Sequence, residues 1–375
     1  MVDTAQIGNT VANYCEGREN NFNLLRILAA SLVVFSHAFG LTGHGDIEPL
    51  VVTFGISLGS WAVNIFFVSS GFLIAKSWDR NRSWKRFLWA RFVRIYPALW
   101  VNVFFCVFVV GLIFTSYSWR EYFFHMDTFK FIAENTTLLI KGVFPTLPGT
   151  FVGIASGSVN FPLWTLPYEL RMYLLLLALG ATGWLYRGGV VKTILMASLF
   201  IHVVTYVVGP KDGVAAEYAR FIFFYFCGSY FYLERARIVL RGYISAAMVG
   251  GLALSILLID VPLRTLVLSL ATPYLALYFA LVPGGLLREY RRVGDYSYGL
   301  YIYGAPVQMS LLALAGGSMA VTANFAFSWL LAGVLAVLSW HLVERKALKF
   351  TYDKLILCLQ FAQPRPVQPP RPRQE

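Results

Sequence analysis

Along this chain, long unbroken apolar runs alternate with short polar stretches. The runs fall at 24–42, 51–75, 96–115, 163–180, 190–209, 220–234, 243–260, 265–282, 296–315 and 322–342. Most are about 20 residues long, the length a helix needs to cross a hydrocarbon core of about 30 Å. The pattern predicts an all-α, polytopic transmembrane helix bundle of about ten spans. Residues 1–23 form an N-terminal segment, 24–345 the membrane domain and 346–375 a tail. Residues 116–162 separate the third and fourth runs, with a helical stretch near Phe129–Lys141 and a Gly/Ser/Pro-rich piece, Pro145–Pro162. They read either as a cap or re-entrant element over a site or as an ordered surface loop, because backbone at membrane depth must be buried in protein or wet. Asn135-Thr136-Thr137 fits the glycosylation sequon. The tail after residue 362 is rich in Pro, Gln and Arg, cannot build a core, and is expected to be disordered.

Composition agrees with the pattern. Of 375 residues, 58% are hydrophobic and 13% charged, against roughly 25% charged in a soluble domain. The net charge of +12 would suit a nucleic-acid partner, but its distribution points elsewhere. Basic residues follow loop parity. One side holds 23 of them, among them Lys76, Lys85, Arg86, Arg91, Arg94, Arg187, Arg235, Arg288 and Arg345; the opposite side holds six, Arg120, Lys130, Lys141, Lys211, Arg220 and Arg264. The positive-inside rule makes the richer side cytoplasmic, and an even span count puts both termini there. No nucleic-acid partner is expected; the basic loops face membrane lipid.

Ionisable groups within spans cost several kcal/mol and ask for a reason. Arg26 and His37 lie eleven residues apart, about 16.5 Å of rise and three turns plus roughly 20°, so both leave one helix face. An imidazole there can carry a proton near neutral pH, or simply hydrogen-bond a neighbouring helix. Arg91 and Arg94 share a face through their spacing of three. Guanidinium groups at the basic mouth suit a phosphate-bearing ligand, and equally suit stop-transfer charge or lipid headgroups. Glu169 stands inside the fourth run with Tyr173 four residues on; its carboxylate could orient a histidine or sugar hydroxyl, or pair with Arg26 or Arg171. The scattered cysteines read as packing residues. The sequence offers no phosphate-cradling glycine loop, metal-ligand cluster or nucleophile elbow, which argues against an ATP-driven pump and against a metalloenzyme.

Six blocks in order carry a resemblance. They are Asn23-Leu24-Leu25-Arg26 followed by Ser36-His37; Val63-Asn64-Ile65-Phe66-Phe67-Val68-Ser69-Ser70-Gly71; Arg91-Phe92-Val93-Arg94-Ile95-Tyr96-Pro97; Leu163-Trp164-Thr165-Leu166-Pro167-Tyr168-Glu169; Ser297-Tyr298-Gly299-Leu300-Tyr301; and Leu342-Val343-Glu344-Arg345. Over about residues 20–350 the chain resembles the acyltransferase-3 family of bacterial membrane O-acyltransferases. The resemblance implies transfer of an acyl group, often acetyl, from cytosolic acyl-CoA to a hydroxyl of an exported or lipid-linked glycan, in a multi-pass protein of the inner membrane. It implies that His37 is the catalytic histidine, that Arg26, Arg91 and Arg94 support the donor, and that Glu169 lines the site. Ser70, Tyr173, Tyr298 and Tyr301 are lesser candidates for orienting groups, and packing explains them as well. Acyl-CoA is a co-substrate; no resident cofactor is expected. One departure stands out: many members have a histidine after the Ser-Tyr-Gly-x-Tyr block, where this chain has Gly304. The competing reading is a transporter or flippase that moves a lipid-linked glycan unaltered.

Overall fold

The structure is a computed structural model and describes residues 10–15, 19–138, 143–207 and 213–350. The tail with its expected disorder, Lys141 and Lys211 lie outside the described residues. Ten helices of 16 residues or more are present among them: α1 Phe22–Leu41, α2 Leu58–Asn81, α3 Trp84–Phe105, α4 Leu166–Ala181, α5 Val190–Val207, α6 Val214–Leu233, α7 Gly242–Leu258, α8 Val261–Leu281, α9 Ser297–Leu314 and α10 Val321–Ser339. They stand at the ten positions that the apolar runs predict. With the turns that extend them, α1, α2, α3 (to Phe114), α8 and α10 (to Phe350) are each long and apolar enough to cross a membrane. The protein is a helical membrane bundle, and no strand occurs among the described residues.

Boundaries differ where capping chemistry overrides hydropathy. The run 51–75 is two helices. A short one, Pro49–Phe54, ends at Gly55 in the left-handed region, and α2 restarts at Ser57, whose hydroxyl accepts the Ser60 amide. The run 96–115 starts twelve residues late. The helix begins at Trp84, so Arg91 and Arg94 project from its second turn onward and not from a loop. This long helix keeps Pro97 in its interior and passes through a π-helical stretch, Cys106–Gly111.

The packing is tightest where α2 crosses α6. A Cβ on Gly71 would lie 1.8 Å from the Tyr225 carbonyl oxygen, and one on Gly228 2.0 Å from that of Val68. The absent side chains let the two backbones meet, and the Ser229 hydroxyl donates across the crossing to the Gly71 carbonyl at 3.1 Å. α1 packs on α2 and α9, and α9 on α10. Buried amides fasten these contacts: Gln308 Nε2 donates to the Val34 carbonyl at 2.8 Å and to Asn324 Oδ1 at 3.1 Å.

The segment read as a cap or a surface loop, residues 116–162, packs on the bundle where it is described. Helix Trp119–Phe124 opens with a Ser118/Glu121 capping box, and helix Met126–Thr137 follows. Tyr122 is fully buried and donates to the Val107 carbonyl inside the π-helical stretch at 2.9 Å. Asn160, also fully buried, reaches into the bundle and donates to Asn102 Oδ1 at 2.8 Å and the Ile302 carbonyl at 3.0 Å. Asn135 of the sequon is buried and bonds the backbone of Phe144 in both directions; it presents no surface amide for a glycan.

Candidate active site

Two ends of the bundle matter. At one end α2 finishes, α3 begins and Arg91 and Arg94 stand. At the other α2 begins, α1 finishes and the cap leads through a 3₁₀ turn, Phe161–Thr165, into α4. Two adjacent cavities, which together form a broken passage, lie between them. The wider section, about 170 Å³, is lined by Arg91, Arg94, Tyr173 and the end of α10 at Leu348. A narrow section of about 40 Å³ continues to Val63, Phe66, Thr165 and Tyr301. Arg26, Ser70, Glu169 and Tyr298 line both sections. The expected site residues of five helices therefore converge on one passage.

His37 stands beyond its far end. Its ring packs on Phe161, centroids 4.6 Å apart at 68°. Among the described residues the imidazole makes no hydrogen bond, so both nitrogens are uncommitted. The preceding Ser36 meets α2 at Gly59, where a Cβ would lie 3.0 Å from its Oγ. His37 does not itself line the passage.

The arginines divide. Arg94 is held by two carboxylates, Asp295 at 2.5 Å and Glu344 at 3.3 Å, and Arg26 pairs with the same Asp295 at 3.7 Å. Two guanidiniums and two carboxylates form one buried network that joins α1, α3, the segment before α9 and the extension of α10. Burial alone would discourage charge on Asp295; Arg94, Arg26 and the Ser297 hydroxyl outweigh it and hold that carboxyl down at about 2. Arg91 is different. Among the described residues it makes no hydrogen bond or ion pair; its Nε is buried without a partner and its guanidinium lies 5.8 Å from the Tyr173 ring centre. It is the cation available for a ligand.

Glu169 is bonded by hydroxyls, with no ion pair to Arg26 or Arg171. Tyr173 donates to its Oε1, and Ser70 lies 3.3 Å from both that oxygen and the Tyr173 hydroxyl. Tyr298 donates to the Ile95 carbonyl at 3.0 Å, and Tyr301 to the Pro162 carbonyl at 2.8 Å while meeting Thr165 Oγ1 at 2.6 Å. These bonds tie α9 to α3 and to the turn that carries Phe161. Gly304 faces α1; a Cβ there would lie 2.9 Å from Val34 Cγ2, so a side chain at that position would have to displace that methyl group.

Sequence reasoning missed four residues of this arrangement: Asp295, Glu344, Glu48 and Phe161. Glu344 sits in the closing sequence block and Asp295 two residues before another, so a search for acids to balance in-span arginines could have found both. Glu48, outside the spans, is buried; it accepts the Ser36 hydroxyl at 3.0 Å and the Leu58 amide. Desolvation raises its carboxyl against these two bonds, which lower it. It fixes the end of α1 beside the start of α2, next to His37. Only contact information reveals it.

A family profile described as an acyltransferase domain matches residues 19–345. The chain is 27% identical over 358 residues to nodulation protein 10 of Rhizobium leguminosarum bv. viciae, covering 90% of this chain and 95% of that protein. It is 28% identical over 352 residues to an O-acetyl transferase of Shigella phage Sf6, covering 91% and 99%. No solved structure matches. With its site residues on five helices of a membrane bundle and the family profile spanning nearly its whole length, this chain belongs to the acyltransferase family of integral membrane proteins.

Proposed function

We propose that the protein is an O-acetyltransferase of the bacterial inner membrane, moving the acetyl group of cytosolic acetyl-CoA to a hydroxyl of an exported or lipid-linked glycan. The observation that carries this reading is the pair of adjacent cavities lined by Arg91, Ser70, Glu169 and Arg26, in the same bundle as an unbonded His37. The similarity to a protein named O-acetyl transferase supports both the acetyl group and the oxygen acceptor.

The arginine end faces the cytoplasm on the positive-inside argument, with both termini on that side. Arg91 pairs with a phosphate of the donor, and the thin acyl-pantetheine arm runs along the passage. The hydroxyls of Ser70 and Tyr173 and the Glu169 carboxylate offer partners to the arm's amides. Arg26 and Arg94 hold the walls through Asp295 and Glu344. The acceptor hydroxyl arrives from the cap side. Its oxygen attacks the thioester carbonyl, its proton passes to His37, and the C–S bond breaks to release coenzyme A. General-base help of this kind is worth roughly 10²–10⁴ in rate.

The test is mass spectrometry of surface glycans from cells with and without the gene. A gain of one acetyl mass per repeating sugar supports transfer. Unchanged composition with an altered amount of surface glycan would replace this reading with transport.

A further inference from the structure

A second polar cavity, of about 230 Å³, opens at the cap end of the bundle between the starts of α2, α6 and α8 and the end of α5. The acyl-transfer chemistry above makes no use of it. Among the described residues, three buried polar atoms on its lining residues have no hydrogen-bond partner: Asn64 Oδ1, His202 Nε2 and Arg220 Nε. Asn64 is 2% exposed and His202 6%. Buried polar groups in folded proteins are nearly always satisfied, by protein or by ordered water, and three that lack a partner among the described residues share this one cavity.

The lining states what kind of partner fits. Asn64 contributes an acceptor and Arg220 a donor, and the His202 nitrogen serves as either. The one charged pair cancels, because Arg220 bonds Glu217 at 2.6 Å. The hydroxyl of Ser60 lines the same space. Mixed donors and acceptors, with charge balanced among the described lining residues, recognise an uncharged polyol.

The cavity is also close to the histidine. A Cβ at Gly59 would lie 3.0 Å from Ser36 Oγ and 3.7 Å from the Oγ of Ser57, which lines the cavity. One residue of α2 therefore spans the gap between the neighbour of His37 and the cavity rim. We propose that this cavity seats an uncharged sugar residue of the acceptor, beside the one whose hydroxyl reaches His37. The proposal rests on the acyl-transfer reading for its role, and on the three orphan atoms for its existence.

The experiment uses the full chain in lipid nanodiscs with a panel of methyl hexopyranosides as probes, read by saturation-transfer NMR. Wild type is expected to saturate at least one glycoside. Asn64→Leu and His202→Phe should each weaken that signal at least about tenfold, since a polar partner is replaced by an apolar group. His37→Ala should keep it. If either cavity variant elutes aggregated, Ser60→Leu, which narrows the cavity from its rim, takes its place. No saturated glycoside with wild type, or wild-type signals in well-folded variants, overturns the seat. Acetyl-CoA consumption in the same preparations separates the two claims. Glycoside binding without any coenzyme A release sinks acyl transfer and leaves the seat. Glycoside-dependent turnover with an unchanged acceptor KM in the cavity variants sinks the seat and leaves acyl transfer.

Discussion

Replacing Arg91 and Arg94 one at a time should give two different kinds of defect, although the residues are three apart on one helix. Arg94 is 15% exposed and bonds Asp295 and Glu344, themselves 12% and 2% exposed. Arg94→Ala leaves both carboxylates without their main counter-ion. Breaking a buried pair by removing one partner costs about 3–5 kcal/mol, and the one ion pair left to Asp295 among the described residues is the longer contact to Arg26. That is a large fraction of a typical stability of about 5–15 kcal/mol, so little folded protein should be recovered. Arg91→Ala removes no ion pair, and the protein should fold. Its loss appears in donor binding: a hydrogen bond to a charged group is worth about 1.5–3 kcal/mol, which converts to roughly a 10- to 100-fold rise in the KM for acetyl-CoA. The assay is monodispersity and thermal melting of each variant in detergent, followed by turnover across a range of acetyl-CoA concentrations. Stable, monodisperse Arg94→Ala would refute the structural role of the network. An unchanged KM in Arg91→Ala would remove that residue from the donor site.

Other outcomes follow from the same contacts. Gly71→Ala and Gly228→Ala each drive a Cβ into a backbone carbonyl; overpacking of this kind costs about 1–3 kcal/mol or more, and both should lower the melting temperature, with wild-type melting counting against the close crossing. Glu48→Ala releases Ser36 and the start of α2. It should reduce kcat about tenfold, or about 1.4 kcal/mol of positioning, while the KM for acetyl-CoA stays within twofold. A matching rise in that KM would place Glu48 elsewhere in the mechanism. Tyr173→Phe deprives Glu169 of its hydroxyl donor and should slow turnover without changing the melting temperature; full activity would mark the tyrosine as packing.

Most of the fold was legible because hydropathy acts over 20 residues at a time. The ten runs found the ten helices, and errors fell where a single cap or glycine decided a boundary, as at Gly55 and at the start of α3. The site was legible in part. Helical spacing put Glu169 beside Tyr173, since that relation is local. What separates Arg91 from Arg94 is not local. Their spacing and charge are equivalent in sequence, and the difference arises from Asp295 and Glu344, about 200 and 250 positions away in the chain. The polar cavity at Asn64, His202 and Arg220 was invisible for the same reason, being assembled by four helices that share no motif.

The central claim is that the imidazole of His37 accepts the proton of the attacking hydroxyl. Its most direct test is transfer of radiolabelled acetyl from acetyl-CoA to glycan by purified His37→Ala in nanodiscs, beside wild type. Loss of at least a hundredfold in kcat with unaltered melting and donor KM is the predicted result. Transfer at the wild-type rate by a protein lacking that ring would contradict it.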